Sequence, residues 1–117
     1  MKTGIKFQDS RNDNGNIADI IKVKLNGTAS GYAYRYDDDF STVYLAGLHV
    51  DEKERRKGVG TKLLQVLENV GIGLGACVLS LWVKKDSWVH EWYKRNGYND
   101  FKSYNGDENF VWMKKLI

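Results

Sequence analysis

The feature of this 117-residue chain that most constrains its fold is a glycine-containing turn between two apolar segments. The turn, Arg55 to Thr61, reads Arg-Arg-Lys-Gly-Val-Gly-Thr. A mostly apolar run ends before it at Val50, and an amphipathic run begins after it near Lys62. This pattern predicts a strand, a turn and a helix in direct succession.

The composition of the turn predicts a site for an anion. Gly58 and Gly60 let the backbone approach a ligand without a Cβ atom in the way. The N-terminus of the following helix adds unpaired N–H donors and a favourable dipole. Three cations, Arg55, Arg56 and Lys57, precede the first glycine and add charge that favours a phosphate. Taken alone, the turn is also compatible with a simple helix start beside a solvated basic face.

The composition limits the classes of protein to consider. The length predicts one domain, residues 1–117, with a single core, and a hydrophobic content of 42% argues against disorder. The net charge of +3 is too small to favour a nucleic-acid partner. The N-terminus lacks the apolar core of a signal peptide and no apolar run is long enough to span a membrane, so we expect a cytoplasmic protein without a membrane partner. The one cysteine, Cys77, is predicted to be buried in a strand and favours a reducing compartment.

Periodicity and turn signals predict seven strands and two helices. The predicted strands are Ile5–Phe7, Ile17–Leu25, Thr28–Tyr36 with a bulge at Gly31, Thr42–Val50, Cys77–Val83, Tyr98–Ser103 and Asn109–Leu116. The first helix follows the glycine turn, and the second runs from an N-cap at Ser87 to Asn96. The order β-β-β-β-α-β-α-β-β predicts an α/β fold on a mixed sheet, with strand Thr42–Val50 buried on both faces.

Two segments give this order a family resemblance. The first resembles the pyrophosphate-binding signature R/Q-x-x-G-x-G/A of the GCN5-related N-acetyltransferases, the GNAT family, and is formed here by Val50, Arg55, Gly58 and Gly60. The second, Trp92 to Tyr98, resembles the aromatic-Tyr-x-x-x-Gly-aromatic signature on a later helix of that family. The resemblance covers roughly Thr28 to the C-terminus and implies a GNAT-like, mostly antiparallel sheet flanked by helices.

The resemblance implies transfer of an acetyl group from acetyl-CoA to a primary amine by direct attack. The glycine turn would hold the pyrophosphate of coenzyme A, and the strand before it would offer main-chain groups to the pantetheine arm. Asp86 stands where many relatives carry an asparagine that contacts the cofactor. No metal is expected, because two separated histidines and one cysteine do not form a recognisable zinc site. The implied cofactor contacts are Leu48, His49, Val50, Arg55, Arg56, Lys57, Gly58, Val59, Gly60, Thr61 and Asp86.

The resemblance also implies that Tyr93 is the general acid. Attack of an amine on the thioester expels a thiolate, which leaves more readily when a nearby phenol donates a proton or a hydrogen bond. A core aromatic residue is the alternative for this position. We interpret the flanking Trp92 and Tyr98 as packing residues.

The general base is not assigned. Relatives often carry Glu or His on the strand before the glycine signature, where this chain has Tyr44 and Ala46 on the side-chain face of Val50. His49 points the opposite way by strand alternation and is interpreted as a structural or edge residue. His90 either faces the cleft or lies on the surface. A water chain or no dedicated base are the remaining alternatives.

Departures from the family pattern leave the acceptor open. Relatives carry one or two helices between the first two strands, where this chain has only the polar loop Asp9 to Asn16, and Glu52 replaces a common proline. The open groove favours a protein lysine or N-terminus over a small amine, which would need enclosing. The run Asp37 to Asp39 is either a solvated turn or an attraction for a cationic acceptor. Lys84-Lys85 and Lys114-Lys115 are interpreted as solubilising charge.

A second functional class is a non-catalytic module of the same fold that binds acyl-CoA or a partner protein. The lack of an evident base and the short N-terminal region favour it. A nucleic-acid binder that uses the basic run is a weaker third alternative, because the net charge is modest.

Overall fold

A computed structural model of the chain describes residues 3–8, 17–25, 27–55 and 57–117, the first of these segments by its backbone. The α-helices are α1 Val59–Gly73 and α2 Trp88–Arg95, and a 3₁₀ turn, Glu52–Glu54, precedes α1. The order of strands and α-helices agrees with the prediction and confirms the fold class. The predicted loop Asp9 to Asn16 lies outside the described residues. The strands are β1 Thr3–Gln8, β2 Ile17–Leu25, β3 Ala29–Tyr36, β4 Asp39–Val50, β5 Val78–Lys84, β6 Asn99–Tyr104 and β7 Asp107–Leu116.

The strands form one sheet in the order β1-β2-β3-β4-β5-β7-β6. Every neighbouring pair is antiparallel except β4 and β5, which are parallel. The parallel pairing covers three positions, Thr42 to Tyr44 against Val78 to Ser80. Because β4 continues to Val50 and β5 continues to Lys84, the two strands separate and leave a split in the sheet.

A β-bulge in β4 changes which of its side chains face the core. Leu45 and Gly47 pair with consecutive residues of β3, so Ala46 is the extra residue. Leu45 and Val50 therefore both contact the core. In a regular strand, two residues with this odd spacing would have side chains on opposite faces. The expectation that Tyr44, Ala46 and Val50 share one face is wrong, because regular alternation does not continue through a bulge.

Both helices pack on the same face of the sheet, and the core lies between them and the strands. Leu63 and Leu67 of α1 lie over Gly31 of β3, where an added Cβ would come within 2.7 Å of Leu67 Cδ1. Gly31 is therefore a close-approach position with regular pairing to β2, and the predicted bulge there is wrong. Trp92 of α2 contacts the first turn of α1, since its ring lies 3.5 Å from the position of a Cβ on Gly60.

The opposite face of the sheet carries no helix among the described residues. Side chains of β3, β4 and β7 project there, and several are aromatic, including Tyr34, Tyr44 and Trp112. The prediction that β4 is buried on both faces is wrong, because Ala46 and His49 are exposed. The sheet therefore builds its core on the helix side.

Cys77 differs from its sequence interpretation. It lies one residue before β5, and its side chain is exposed rather than buried. Its N–H donates to Ser41 O, and its carbonyl accepts from the N–H of Ile117, both at 2.8 Å. Backbone hydrogen bonds, and not packing of the thiol, hold Cys77 in position.

Arg35 joins three elements on the helix side of the sheet. Its Nε and Nη2 donate to Asp19 Oδ2 of β2 at 2.8 and 2.6 Å. Its Nη1 donates to Leu74 O, at the C-terminal cap of α1, at 2.9 Å. The guanidinium also lies 4.6 Å from the centre of the Phe40 ring. A cation that bonds the last carbonyls of a helix is favoured by the dipole, so Arg35 stabilises α1 against the strands.

Replacing Arg35 with alanine should lower the free energy of unfolding by about 2 kcal/mol, because a half-buried carboxylate and a helix-terminal carbonyl lose a charged donor. Urea unfolding followed by tryptophan fluorescence measures the change. The matched control is Lys24→Ala, an exposed cation on β2, for which we expect a change within about 0.5 kcal/mol. Equal destabilisation by the two variants would contradict the role of Arg35.

Candidate functional site

The split between β4 and β5 is the candidate site. Beyond the last pair, Tyr44 with Ser80, the edge of β4 that faces β5 has no strand partner. The backbone of Leu48 to Val50 lies on this free edge. An extended, amide-bearing ligand can bond to such an edge as a further strand would.

The glycine turn at the wide end of the split leaves backbone donors free. Gly58 is the N-cap of α1 and has a φ of 77°, a left-handed conformation that glycine adopts readily. The first helical bond runs from Lys62 N–H to Gly58 O at 3.0 Å, so the N–H groups of Val59, Gly60 and Thr61 have no intrahelical partner. No described side chain caps this end, and the first turn contains no acidic residue. The positive end of the helix dipole is therefore open to an anion.

Two of the three predicted cations are described at this turn, and Arg56 lies outside the described residues. Arg55 Nε donates to Val50 O at 3.1 Å, which holds this side chain at the end of β4. Lys57 Nζ lies 3.7 Å from Glu54 Oε2 in an exposed pair, which offsets little of its charge. The turn thus combines free N–H groups with positive side chains.

Tyr93 of α2 is buried, with 6% of its surface exposed. Burial raises the pKa of its phenol well above the ordinary value of 10.0, so the phenol is protonated at neutral pH. Its ring contacts Trp92 and Tyr98 edge to face, at centroid distances of 4.9 and 5.4 Å. Trp92 and Tyr98 therefore pack around it, as expected from the sequence.

The start of α2 is built around His90. Ser87 accepts a hydrogen bond from His90 N–H at 3.2 Å and is the N-cap, as predicted. The N–H of Asp86 donates to His90 Nδ1 at 3.0 Å, so Nε2 carries the proton and donates to Asp100 Oδ1 at 2.8 Å. The imidazole is 1% exposed and both nitrogens are used. The alternative of a surface His90 is wrong, because the imidazole is buried. The alternative of a His90 that faces the cleft with a free nitrogen is not supported, because Asp86 and Asp100 use both ring nitrogens.

Asp86 and His49 lie on the two sides of the split. Asp86 follows β5 with a φ of 61°, and its side chain is exposed. His49 of β4 is exposed on the helix-free face, with Nε2 3.3 Å from Asp51 Oδ1. His49 lies on the part of β4 beyond its last pair with β5, so its interpretation as an edge residue agrees with the strand pairing.

Sequence reasoning missed a buried ion pair near Tyr98. Glu68 of α1 is 9% exposed, and its Oε2 lies 3.0 Å from Lys115 Nζ. Lys115 also lies 5.7 Å from the centre of the Tyr98 ring, so its interpretation as solubilising charge is wrong. The sequence contains a signal for this pair, because Glu68 stands one helical turn after Leu64 on the apolar stripe of α1, where a charged residue needs a buried partner.

The hydroxyl of Tyr98 is buried without a hydrogen-bond partner among the described residues. Burial, and then the charge of Glu68, raise the pKa of this phenol above its ordinary value.

None of the described helices combines the length and the apolar composition needed to cross a lipid bilayer.

Comparisons with known proteins identify the family and the fold of the chain. The family model described as Acetyltransferase (GNAT) family matches residues 2–98. A similar structure is that of a protein described as an acyl-CoA N-acyltransferase, from Klebsiella pneumoniae, with a TM-score of 0.73, 15% identity and 97% of both chains covered. A GNAT acetyltransferase from Elizabethkingia anophelis with acetyl-CoA bound gives a TM-score of 0.70 at 13% identity, with 98% of both chains covered.

A third similar structure is that of the PaiA N-acetyltransferase from Thermoplasma acidophilum in complex with coenzyme A. Its TM-score is 0.70 at 17% identity, and the match covers 92% of this chain and 65% of that one. No curated protein matches the chain. At these identities the likeness shows the fold, and the family model supplies the family.

Replacing Tyr98 with phenylalanine should raise the free energy of unfolding by about 1 kcal/mol, because a buried hydroxyl without a partner costs stability. A second effect concerns pH: with the folded-state pKa raised, the stability from the neutral phenol is present below about pH 10 and is lost as the pH rises further. The variant should therefore lose less stability above pH 10 than the natural chain. Urea unfolding at neutral and alkaline pH measures both effects, with the half-buried Tyr104→Phe as control. A large destabilisation at neutral pH would show that the hydroxyl is bonded.

Proposed function

Because the chain belongs to the GNAT family of acetyltransferases, we propose that it is a one-domain cytoplasmic enzyme that transfers acetyl from acetyl-CoA to a primary amine. A protein lysine or N-terminus is favoured over a small amine. The observation that carries the proposal is the split sheet, whose free strand edge ends at an uncapped helix N-terminus. The relative from Elizabethkingia anophelis, which has a similar fold, binds acetyl-CoA.

The donor would lie along the split. The pyrophosphate is proposed to bind the free N–H groups of Val59 to Thr61, with Arg55 and Lys57 adding charge. The amide groups of the pantetheine arm would bond the edge of β4 at Leu48 to Val50. Asp86 would contact the cofactor through its side chain, because its N–H is already bonded to His90.

The proposed reaction is direct attack of the neutral amine on the thioester carbonyl. The new C–N bond forms as the C–S bond breaks, and the thiolate of coenzyme A leaves with the bonding electron pair. Tyr93 is proposed to stabilise this thiolate. The raised pKa of its phenol makes full proton transfer to a thiolate, whose own pKa lies near 8.5, unfavourable. We therefore favour a hydrogen bond from Tyr93 in the transition state, with the final proton supplied through water.

The attacking amine must lose a proton, and water is proposed to take it. Both nitrogens of His90 are occupied, so it has no free acceptor. Burial and the nearby charge of Asp39 raise the pKa of Tyr44, so its phenol is neutral at physiological pH and cannot act as a base. Solvent reaches the helix-free face directly, which makes a water chain the simplest proton acceptor.

A non-catalytic acyl-CoA-binding module is the second candidate. The observation that favours it is that His90 and Tyr44, the two side chains considered as bases, are unsuited to that role. Calorimetry with acetyl-CoA, combined with a thiol-release assay over peptides and simple amines, separates the two candidates. Binding without thiol release for any amine would support the module and overturn the enzyme.

Replacing Gly58 with glutamate should abolish binding of acetyl-CoA, because a carboxylate would occupy the proposed phosphate site. Two controls separate the causes. Gly58→Ala has the same backbone strain at positive φ without the charge. Gly73→Glu adds the same charge at an exposed glycine at the other end of α1. Calorimetry measures affinity, and normal binding by the Gly58→Glu protein would place the cofactor elsewhere.

Replacing Tyr93 with phenylalanine should preserve binding of acetyl-CoA but reduce kcat by about 10²- to 10⁴-fold, the range for general acid–base groups. The ring and its contacts with Trp92 and Tyr98 are retained, so a folding defect is not expected. Steady-state thiol release and calorimetry give the two quantities. Unchanged kcat would remove Tyr93 from the mechanism.

A further inference from the structure

The helix-free face carries a continuous row of aromatic side chains that the proposed chemistry does not use. Neighbouring ring centroids along the row lie 4.6 to 5.9 Å apart. The rings are half-buried or exposed, with Trp82 47% exposed. We call this row the aromatic face, and its members in spatial order are Tyr36, Tyr34, Tyr44, Trp112, Tyr104 and Trp82.

The aromatic face crosses the closed end of the split. Tyr44 and Ser80 form the last β4–β5 pair before the strands separate. Ser80 is small, and its hydroxyl donates to Met113 O at 3.1 Å, so the rings of Tyr44 and Trp112 meet across it. A ligand at the closed end of the split, on the helix-free side, would therefore lie next to these rings.

The cations of the described residues are not spread evenly over the aromatic face. Lys102 Nζ lies 5.9 Å from the centre of the Trp112 ring, so a cation of the chain already lies beside the middle of the face. At the end formed by Tyr34, Tyr36 and Tyr44, the three rings contact one another at 5.2 to 5.5 Å. None of the cation–ring contacts among residues 17–25, 27–55 and 57–117 involves these three tyrosines.

Carboxylates lie beside the tyrosine end. Asp39 accepts hydrogen bonds from the N–H of Ser41, at 3.0 Å, and from its hydroxyl. These bonds lower the pKa of Asp39, so it is ionised at neutral pH. Asp39 pairs with Tyr36 across β3 and β4, which places its carboxylate beside the tyrosine rings. The charges of Asp39 and Asp38 also contribute to the raised pKa of Tyr44. Ring faces and carboxylates together make this end attractive to a cation.

We infer that Tyr34, Tyr36, Tyr44, Asp38 and Asp39 form a subsite for a second positive charge of the acceptor. The acceptor is then a basic peptide, whose reactive amine enters the split while a flanking Arg or Lys side chain lies on the tyrosines. The inference rests on the proposed function, since the same split holds the thioester.

The distances suit an acceptor of this kind. Tyr44 lies at the closed end of the split, and its ring is 5.3 Å from that of Tyr36. An extended peptide rises about 3.3 Å per residue. A cation one or two residues from the reactive amine therefore reaches the subsite. The subsite would therefore recognise a second cation close to the reactive amine, and not the overall positive charge of the acceptor.

The test compares three capped peptides that share a central lysine and differ in the residues two positions away, which are Arg, Gln or Glu. We expect kcat/KM for the Arg peptide to exceed that for the Gln peptide by about threefold to tenfold, as cation–ring and exposed ion-pair contacts allow. Because the chain has a net charge of +3, non-specific attraction would favour the Glu peptide instead.

Two changes at the subsite should lower this preference. The double variant Asp38→Asn/Asp39→Asn removes the charge, and Tyr36→Leu removes a ring. In each we expect the Arg-to-Gln ratio of kcat/KM to approach one. The matched control is Asp107→Asn, because Asp107 Oδ1 accepts from Asn109 N–H at 2.9 Å in the same way that Asp39 accepts from Ser41. The control should keep the full ratio.

The outcomes separate the inference from the function on which it rests. Thiol release with all three peptides at equal efficiency, or a ratio that the subsite variants leave unchanged, would overturn the inference and leave the acetyltransferase intact. No thiol release with any peptide or simple amine would overturn both. Sedimentation at assay concentrations provides a further check, because a dimer that Trp82→Ser dissociates would show that a second copy covers the aromatic face.

Discussion

Strands β4 and β5 pair at three positions and then separate, and the candidate site is a consequence of that separation. Because the connection between them contains α1, the helix begins at the wide end of the split, shortly after Val50. A complete β4–β5 ladder would use the backbone groups that now form a free edge. The split therefore brings an unpaired strand edge and the unpaired N–H groups of a helix terminus to one place. Gly58 allows the chain to turn between them, because it adopts the left-handed conformation.

The bulge at Ala46 lets one strand meet two requirements. Before the bulge, Leu45 contributes to the core while Tyr44 belongs to the aromatic face on the other side of the sheet. After it, Val50 still packs on the core although β4 has left β5. A bulge increases local twist and bends a strand, which favours separation from a neighbour while the pairing with β3 continues. The apolar side chains and the free edge thus coexist in one element.

The two faces of the sheet have different physical roles. On the helix side, several polar groups are paired across elements: Arg35 bonds Asp19, and His90 bonds Asp100. Such pairs stabilise the position of each helix, and they leave those groups without capacity for proton transfer. Tyr93 is a buried phenol that its surroundings keep neutral, as the proposed chemistry needs. The helix-free side instead presents half-exposed rings beside carboxylates, which favour binding of a ligand over packing.

The sequence by itself determined the order of the elements, the glycine turn at a helix N-terminus and the family, because periodicity and glycine spacing are local signals. The tertiary structure decided the β-bulge at Ala46, which changes the face on which the following side chains of β4 lie. It also decided the exposure of Cys77, the burial of His90 and the pairing of Glu68 with Lys115. Each of these depends on which distant residues become neighbours, and a single sequence does not state that. The uncapped helix N-terminus is predictable because backbone groups within one short segment form it. The aromatic face is not, since its rings come from five separate strands that only the folded sheet brings together.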